Sequence, residues 1–193
     1  MAAKQTRSSR KKRVAPPLTQ TKLRDLALSY VARFSTTQAK LADYLRRKIC
    51  ERGVAEDAGE LDVNAVVERL VELRYVDDAA FAQARSGALL RKGYGGRRVE
   101  QALRAAGIAE STRSDFAPDE AHARQSALLL ARKRRFGPFG RDSDASGSKD
   151  LAKREKQIAA MIRAGHDFTA AKAVIDAASI EEAEEWAIEV EER

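Results

Sequence analysis

The sequence predicts an all-α protein, built as three tandem three-helix repeats that form an elongated, curved helical body. Three observations lead there. Apolar residues recur at helical spacing along most of the chain, while strand-like alternation is hard to find. An apolar stripe ending in arginine and a stop recurs as "LADYLRRK" (41–48), "VEQALRAAG" (99–107) and "IAAMIRAG" (158–165). The chain is 34% charged and only 6% aromatic, which suits small amphipathic units that bury their faces by stacking on one another.

Each element has its own signal. After the stop at Pro16-Pro17, residues Leu23, Leu26, Ala27, Tyr30, Val31 and Phe34 form the first stripe. Ser35-Thr36-Thr37-Gln38 has capping-box spacing, the serine accepting a backbone N–H and the glutamine reaching back. Leu41, Leu45 and Ile49 follow, and Asp62 opens a third stripe of Val63, Val66, Val67, Leu70 and Val71. Asp77 caps a fourth helix, whose apolar face includes Ala80, Phe81, Ala84 and Ala88. Val99, Ala102, Leu103 and Ala106 mark the fifth, closed by Gly107. Further helices are expected over 110–116, 119–135, about 152–164 and 168–178, with a glutamate-rich helix carrying Ile180, Ala183, Trp186, Ala187 and Val190. The Gly/Ser/Asp-rich stretch 140–150 reads as a flexible loop. The resulting map has a flexible basic tail at 1–17, repeats at about 18–76, 77–118 and 119–180, and an acidic segment at 181–193.

Charge narrows the function. Residues 1–17 hold six basic residues and no acid, whereas 181–193 hold seven glutamates and one arginine. The body between them keeps the whole chain's net charge of +7. A pI near 9.7 points to a polyanionic partner, nucleic acid first, with a merely solubilising surface as the alternative. No apolar run approaches the roughly 20 residues of a membrane span, and the first residues lack the apolar region of a secretory signal. The single Cys50 forms no internal disulfide, which fits a reducing cytoplasm.

The segment "RKGYGGRR" (91–98) poses the main question, because glycines among cations suggest a phosphate cradle. A P-loop ends in Gly-Lys-Ser/Thr, and here no Ser or Thr follows. A dinucleotide fingerprint needs a preceding strand, and what precedes is helical. The glycines are therefore expected to form a helix–helix hinge, using positive φ. The cations are a separate matter. Arg97 and Arg98 fall in a first helical turn, where the macrodipole disfavours positive charge, and a partner's anions would explain them, with helix N–H donors added.

Three basic clusters are the candidate partner and DNA contacts: Arg46, Arg47 and Lys48; Arg91, Lys92, Arg97 and Arg98; and Arg132, Lys133, Arg134 and Arg135. If the repeats stack in register, the clusters line one concave face, and contacts of this kind give affinity without sequence preference. Tyr94 and Phe136 are expected to pack at helix ends. His122, His166 and Cys50 make no metal-ligand spacing; both histidines read as surface or capping residues, and Asp77-Asp78 could suggest a metal site, but helix capping explains at least one of the pair. No catalytic residue, metal or cofactor is expected.

"RKGYGGRRVEQALRAAGI" (91–108), "LRYVDDAAFAQA" (73–84) and "FSTTQAKLADYLRRK" (34–48) resemble the RecX family, regulators of the RecA recombinase. The resemblance spans about 18–180, is strongest over 66–108, and weakens at the 140–150 insertion. It implies tandem three-helix repeats and a non-enzymatic role: binding RecA and its filament, with contacts to single- or double-stranded DNA, and modulating (mainly inhibiting) RecA, which restrains recombination and the associated SOS response and so regulates DNA repair. The expected protein is a cytoplasmic monomer with no membrane contact. The alternative is a helical DNA-binding transcription regulator. That reading needs a recognition helix with amide side chains and sequence preference, whereas these clusters are rich in arginine and lysine.

Overall fold

The computed structural model describes residues 15–140 and 148–189. Positions 1–14 of the expected basic tail, 141–147 of the expected loop and 190–193 of the acidic segment lie outside the described residues. Among the described residues the protein is all-α, with ten α-helices, one 3-10 turn and no strand. A single parallel bridge ties Leu18 to Val54: the Leu18 N–H donates to the Gly53 carbonyl at 2.9 Å, and the Ala55 N–H donates to Leu18 at 3.0 Å.

The chain divides into two compact units, one formed by residues up to Phe34 with Leu41–Tyr75, the other by Ser35–Lys40 with everything from Val76. The first contains α1 (Gln20–Val31), most of α2 (Gln38–Arg52) and α3 (Val63–Glu72). Thr19 caps α1, and the Asp62 carboxylate caps α3 by accepting from Ala65 at 2.8 Å. The Gln20 amide brackets the Asp62 backbone, donating to its carbonyl at 3.0 Å and accepting its N–H at 3.1 Å. That pair of hydrogen bonds sets the start of α1 beside the start of α3. The core holds Leu18, Leu23, Leu41, Leu45, Val66 and Leu70. Phe34 does not continue the first stripe: α1 ends at Val31, and the phenylalanine is 53% exposed.

The second unit contains α4 (Asp78–Leu90), α5 (Gly96–Arg104), α6 (Glu110–Asp115), α7 (Glu120–Arg134), α8 (Ser148–Arg163), α9 (Phe168–Asp176) and α10 (Ile180–Ile188). One core cluster joins α4 and α5 through Ala82, Leu89, Val99, Leu103 and Ile108. A second joins α7, α8 and α9 through Leu130, Ile158, Met161, Val174 and Ile175. The glutamate-rich end is helix α10, which packs on α7 and buries Ala183 and Ala187.

Two local expectations are corrected. The capping box at 35–38 does not form. Instead α2 starts at Gln38, whose N–H donates to the Asp78 carboxylate at 2.9 Å, while the Thr37 hydroxyl accepts from Lys40 at 3.3 Å and donates to the Ala106 carbonyl at 2.6 Å. Tertiary partners have replaced the local ones. Asp77 does cap α4, accepting from Ala80 at 2.9 Å, so each half of the Asp-Asp pair serves a different helix. The second correction concerns the face of α4. Ala82, Ser86 and Leu89 are its buried residues, whereas the stripe read as its apolar face leaves Ala80 and Ala84 exposed and Phe81 and Ala88 half-buried.

Candidate functional site

The glycine turn is built from both ends. Helix α4 stops at Arg91, Gly93 takes φ +85°, and Gly95 caps α5 with an ordinary φ of −83°. Only Gly93 needs the left-handed region, so the hinge reading accounts for one glycine of the turn. Gly95 is required for a different reason. A Cβ there would lie 2.4 Å from the Gly165 carbonyl carbon and 2.5 Å from the His166 nitrogen, and a Cβ on Gly165 would lie 2.4 Å from the Arg98 nitrogen. The turn between α8 and α9 thus meets the glycine turn backbone to backbone. The Gly95 N–H donates to the Ala164 carbonyl at 3.0 Å, and the Arg97 N–H donates to Gly165 at 3.1 Å.

His166 lies beneath this seam at 3% exposure, its Nε2 3.1 Å from the Gly93 carbonyl. With the proton on Nε2, the ring donates to that oxygen. Burial pushes its pKa down, against the opposing pull of the Gly93 carbonyl and Asp167. The ring is a structural strut, not the surface or capping residue expected. His122 does sit at a cap, its N–H on the Asp119 carboxylate at 2.8 Å and its Nδ1 at 2.7 Å from the same group. The expectation that the α5 N-terminus offers free N–H donors is also corrected at Arg97, since Gly165 occupies that donor.

The three basic clusters differ in compensation. Arg46 pairs with Asp43 at 3.5 Å, and Arg47 and Lys48 share Glu51 at 3.8 and 2.5 Å; these residues lie in the first unit. In the second unit, Arg132 pairs with Glu184 of α10 and lies 5.4 Å over the Phe139 ring. Lys133 donates to the Arg91 carbonyl at 3.3 Å, joining the ends of α7 and α4. Arg134 and Arg135 are exposed, the latter in the left-handed region at φ +55°. Arg91, Lys92, Arg97 and Arg98 are all exposed, and among the described residues no carboxylate pairs with any of them. Arg98 is held by the Gln101 amide oxygen at 2.8 Å and lies 6.0 Å over the Tyr94 ring. Tyr94 and Phe136 pack at the edges of the two cores, as expected.

Lys92 and Arg98 also line an open groove of about 950 Å³ whose other cations are Lys40 and Arg85. Sequence reasoning left these two outside the site. Arg85 had a signal, the helical spacing of Phe81, Arg85 and Ala88 on one face of α4, whereas Lys40 lies on α2 and reaches the groove only through the tertiary fold. Among the described residues, no group of His, Cys, Asp and Glu side chains could hold a metal, and no helix is long and apolar enough to cross a membrane.

Known proteins match this architecture. Residues 77–115, which span α4 to α6, match the family model described as RecX, second three-helix domain. The chain is 31% identical over 175 residues to a regulatory protein RecX of Myxococcus xanthus, covering 86% of this chain and 89% of that protein. It is also 31% identical over 166 residues to a regulatory protein RecX of Agrobacterium fabrum, covering 84% and 85%. The crystal structure of RecX from Lactobacillus salivarius shares the fold at a TM-score of 0.64 and 18% identity, over 82% of this chain and 96% of that one. With the all-α fold, the matched second domain and two relatives aligned over most of the chain, this protein belongs to the RecX family.

Proposed function

We infer that this protein binds the RecA recombinase in its filament on DNA and restrains its activity, as a binding protein and not an enzyme. The observation that carries the reading is the 31% identity to a regulatory protein RecX over 86% of the chain. The bare cations beside the glycine turn support it. An exposed charge at a helix start works against the macrodipole, and Arg97 and Arg98 stand there without carboxylate partners among the described residues. A polyanionic or acidic partner relieves that cost. The protein acts in the cytoplasm as a monomer, and its contacts with DNA are indifferent to sequence.

The test is suppression of RecA's DNA-dependent ATP hydrolysis and strand exchange by the purified chain. Arg97→Glu with Arg98→Glu should weaken suppression at least tenfold and leave the helical spectrum intact. Binding to single-stranded DNA alone should be weak and salt-dependent, with a log–log slope of about −0.7 per phosphate contacted, and shallower in the double variant. A double variant as potent as the parent would remove this cluster from the contact. A parent that ignores RecA but prefers one duplex sequence would establish the transcription-regulator reading instead.

A further inference from the structure

The basic groove on the second unit has a composition that phosphate binding alone does not explain. One wall is the face of α4 that the sequence marks as apolar, where Ala84 is exposed and Phe81 and Ala88 are only half-buried. The other is α5 with Ala102 and Ala105, and Tyr94 closes the end at the turn. In a chain that is 34% charged, a surface-facing stripe of alanines on both walls is a departure that leaves room for incoming apolar side chains. The rim is Lys40, Arg85, Lys92 and Arg98, and no carboxylate occurs among the described lining residues.

The geometry points to this groove as the docking site for an acidic amphipathic peptide segment of a protein partner, apolar on one face and carboxylate-bearing on the other. The assignment rests on the reading of the glycine-turn cations as a partner surface, and it gives that partner a chemistry. Charge complementarity selects the sign, because four cations face no acid. The apolar floor selects a peptide over a nucleic acid. Stacking a base needs an open aromatic face, and both lining rings are engaged: Lys40 lies 5.2 Å over Phe81 and Arg98 lies 6.0 Å over Tyr94, while both rings also pack on the core. The α4 part of the stripe, from Phe81 to the helix end at Leu90, covers two and a half turns, about 14 Å at 1.5 Å per residue, and Lys92 follows in the turn beyond it. That length suits a helix of about 10 residues laid in the groove by its anchors at i, i+3 and i+4. The assignment also divides the basic quartet, since Lys92 and Arg98 line the groove and Arg91 and Arg97 do not.

The experiment uses fluorescence anisotropy of the full chain with three labelled probes. These are a 15-residue peptide with leucines on one helical face and glutamates elsewhere, a scrambled peptide of the same composition, and a 15-nucleotide oligothymidylate. The patterned peptide should bind at least tenfold more tightly than the scrambled one. Lys92→Glu with Arg98→Glu should weaken it at least tenfold. Lys22→Glu with Arg24→Glu, an equal charge change on α1, should alter it less than twofold. Ala105→Glu, at an exposed position on the α5 wall, should also weaken it, with circular dichroism confirming that each variant is folded. Equal binding of the two peptides, indifference to Lys92→Glu with Arg98→Glu, or displacement of the peptide by the oligonucleotide at equal concentration would each overturn the assignment. The outcome stays separate from the regulator reading. A chain that suppresses strand exchange but binds neither peptide loses only the groove, and one that binds the patterned peptide yet leaves RecA unaffected loses only the regulator role.

Discussion

Glycines that look alike in the sequence do different work at the residue scale. Gly53 and Gly59 take φ of +73° and +62° with nothing within 4 Å of an added Cβ, so backbone strain is their whole requirement. Gly165 combines φ +98° with an added Cβ 2.4 Å from the Arg98 nitrogen, an atom of backbone that cannot swing aside. Gly53→Ala should therefore cost about 1 kcal/mol, whereas Gly165→Ala should cost about 2–4 kcal/mol by forcing the two turns apart. Urea denaturation of the two variants measures the difference. Composition could mark these residues as turn formers, but close approach between segments that far apart along the chain leaves no trace at either one alone. Of the turn glycines expected to use positive φ, only Gly93 does; Gly95 is required by a close approach that the hinge reading does not foresee.

Among the helices, caps are exchanged between segments. Asp78 belongs to α4 by sequence, yet its carboxylate accepts the Gln38 N–H that opens α2. Burial raises the pKa of this carboxyl, with the Gln38 hydrogen bond opposing the shift. Asp78→Ala should leave that N–H without its acceptor and cost about 1–2 kcal/mol, while Asp78→Asn keeps an oxygen in place and should cost less. Thermal melts of the two variants read the order. Periodicity made most helices legible: 110–116, 119–135 and 168–178 were read where α6 (Glu110–Asp115), α7 (Glu120–Arg134) and α9 (Phe168–Asp176) form. It could not say which apolar face of α4 is buried. Phe81, Ala84 and Ala88 have the helical spacing of a core stripe, and only the packing of Ala82, Ser86 and Leu89 against α5 and α6 decides the matter. The same gap hid Arg85 from the candidate site, and Lys40, on α2, joins it only through the tertiary fold.

Across the whole molecule, charge reads differently once the partners are in place. The basic run 132–135 looked equivalent to 91–98 in sequence, but α10 supplies Glu184 to Arg132 and carbonyls of Trp186 and Glu189 to Arg124. The acidic end thus offsets Arg132 of this run, whereas among the described residues no carboxylate pairs with the glycine-turn cations. Overall stability should also carry the signature of His166. Its unfolded pKa is near 6.5, and burial lowers the folded value. Between the two, the unfolded chain binds more protons, so stability rises with pH across that window. The contribution is fully present above about 6.5 and is lost as pH falls through the folded value. The urea midpoint of the parent should drop between pH 7 and pH 5. His166→Gln, which cannot ionise, should start lower at pH 7 and fall less steeply.

The backbone seam at Gly95 and Gly165 bears on how the chain is made. His166 and Gly93 are 73 residues apart in sequence, and the acceptors for the Gly95 and Arg97 N–H groups, on Ala164 and Gly165, lie nearly as far downstream. A ribosome adding roughly 5–20 residues per second needs about 4–15 seconds to cover that distance. During that interval α5 has emerged with the first donors of its opening turn unmet and its arginines already in place. Helix α5 therefore completes its opening turn only when the chain has been extended past Gly165, and a nascent chain released before that residue lacks the acceptors that finish it.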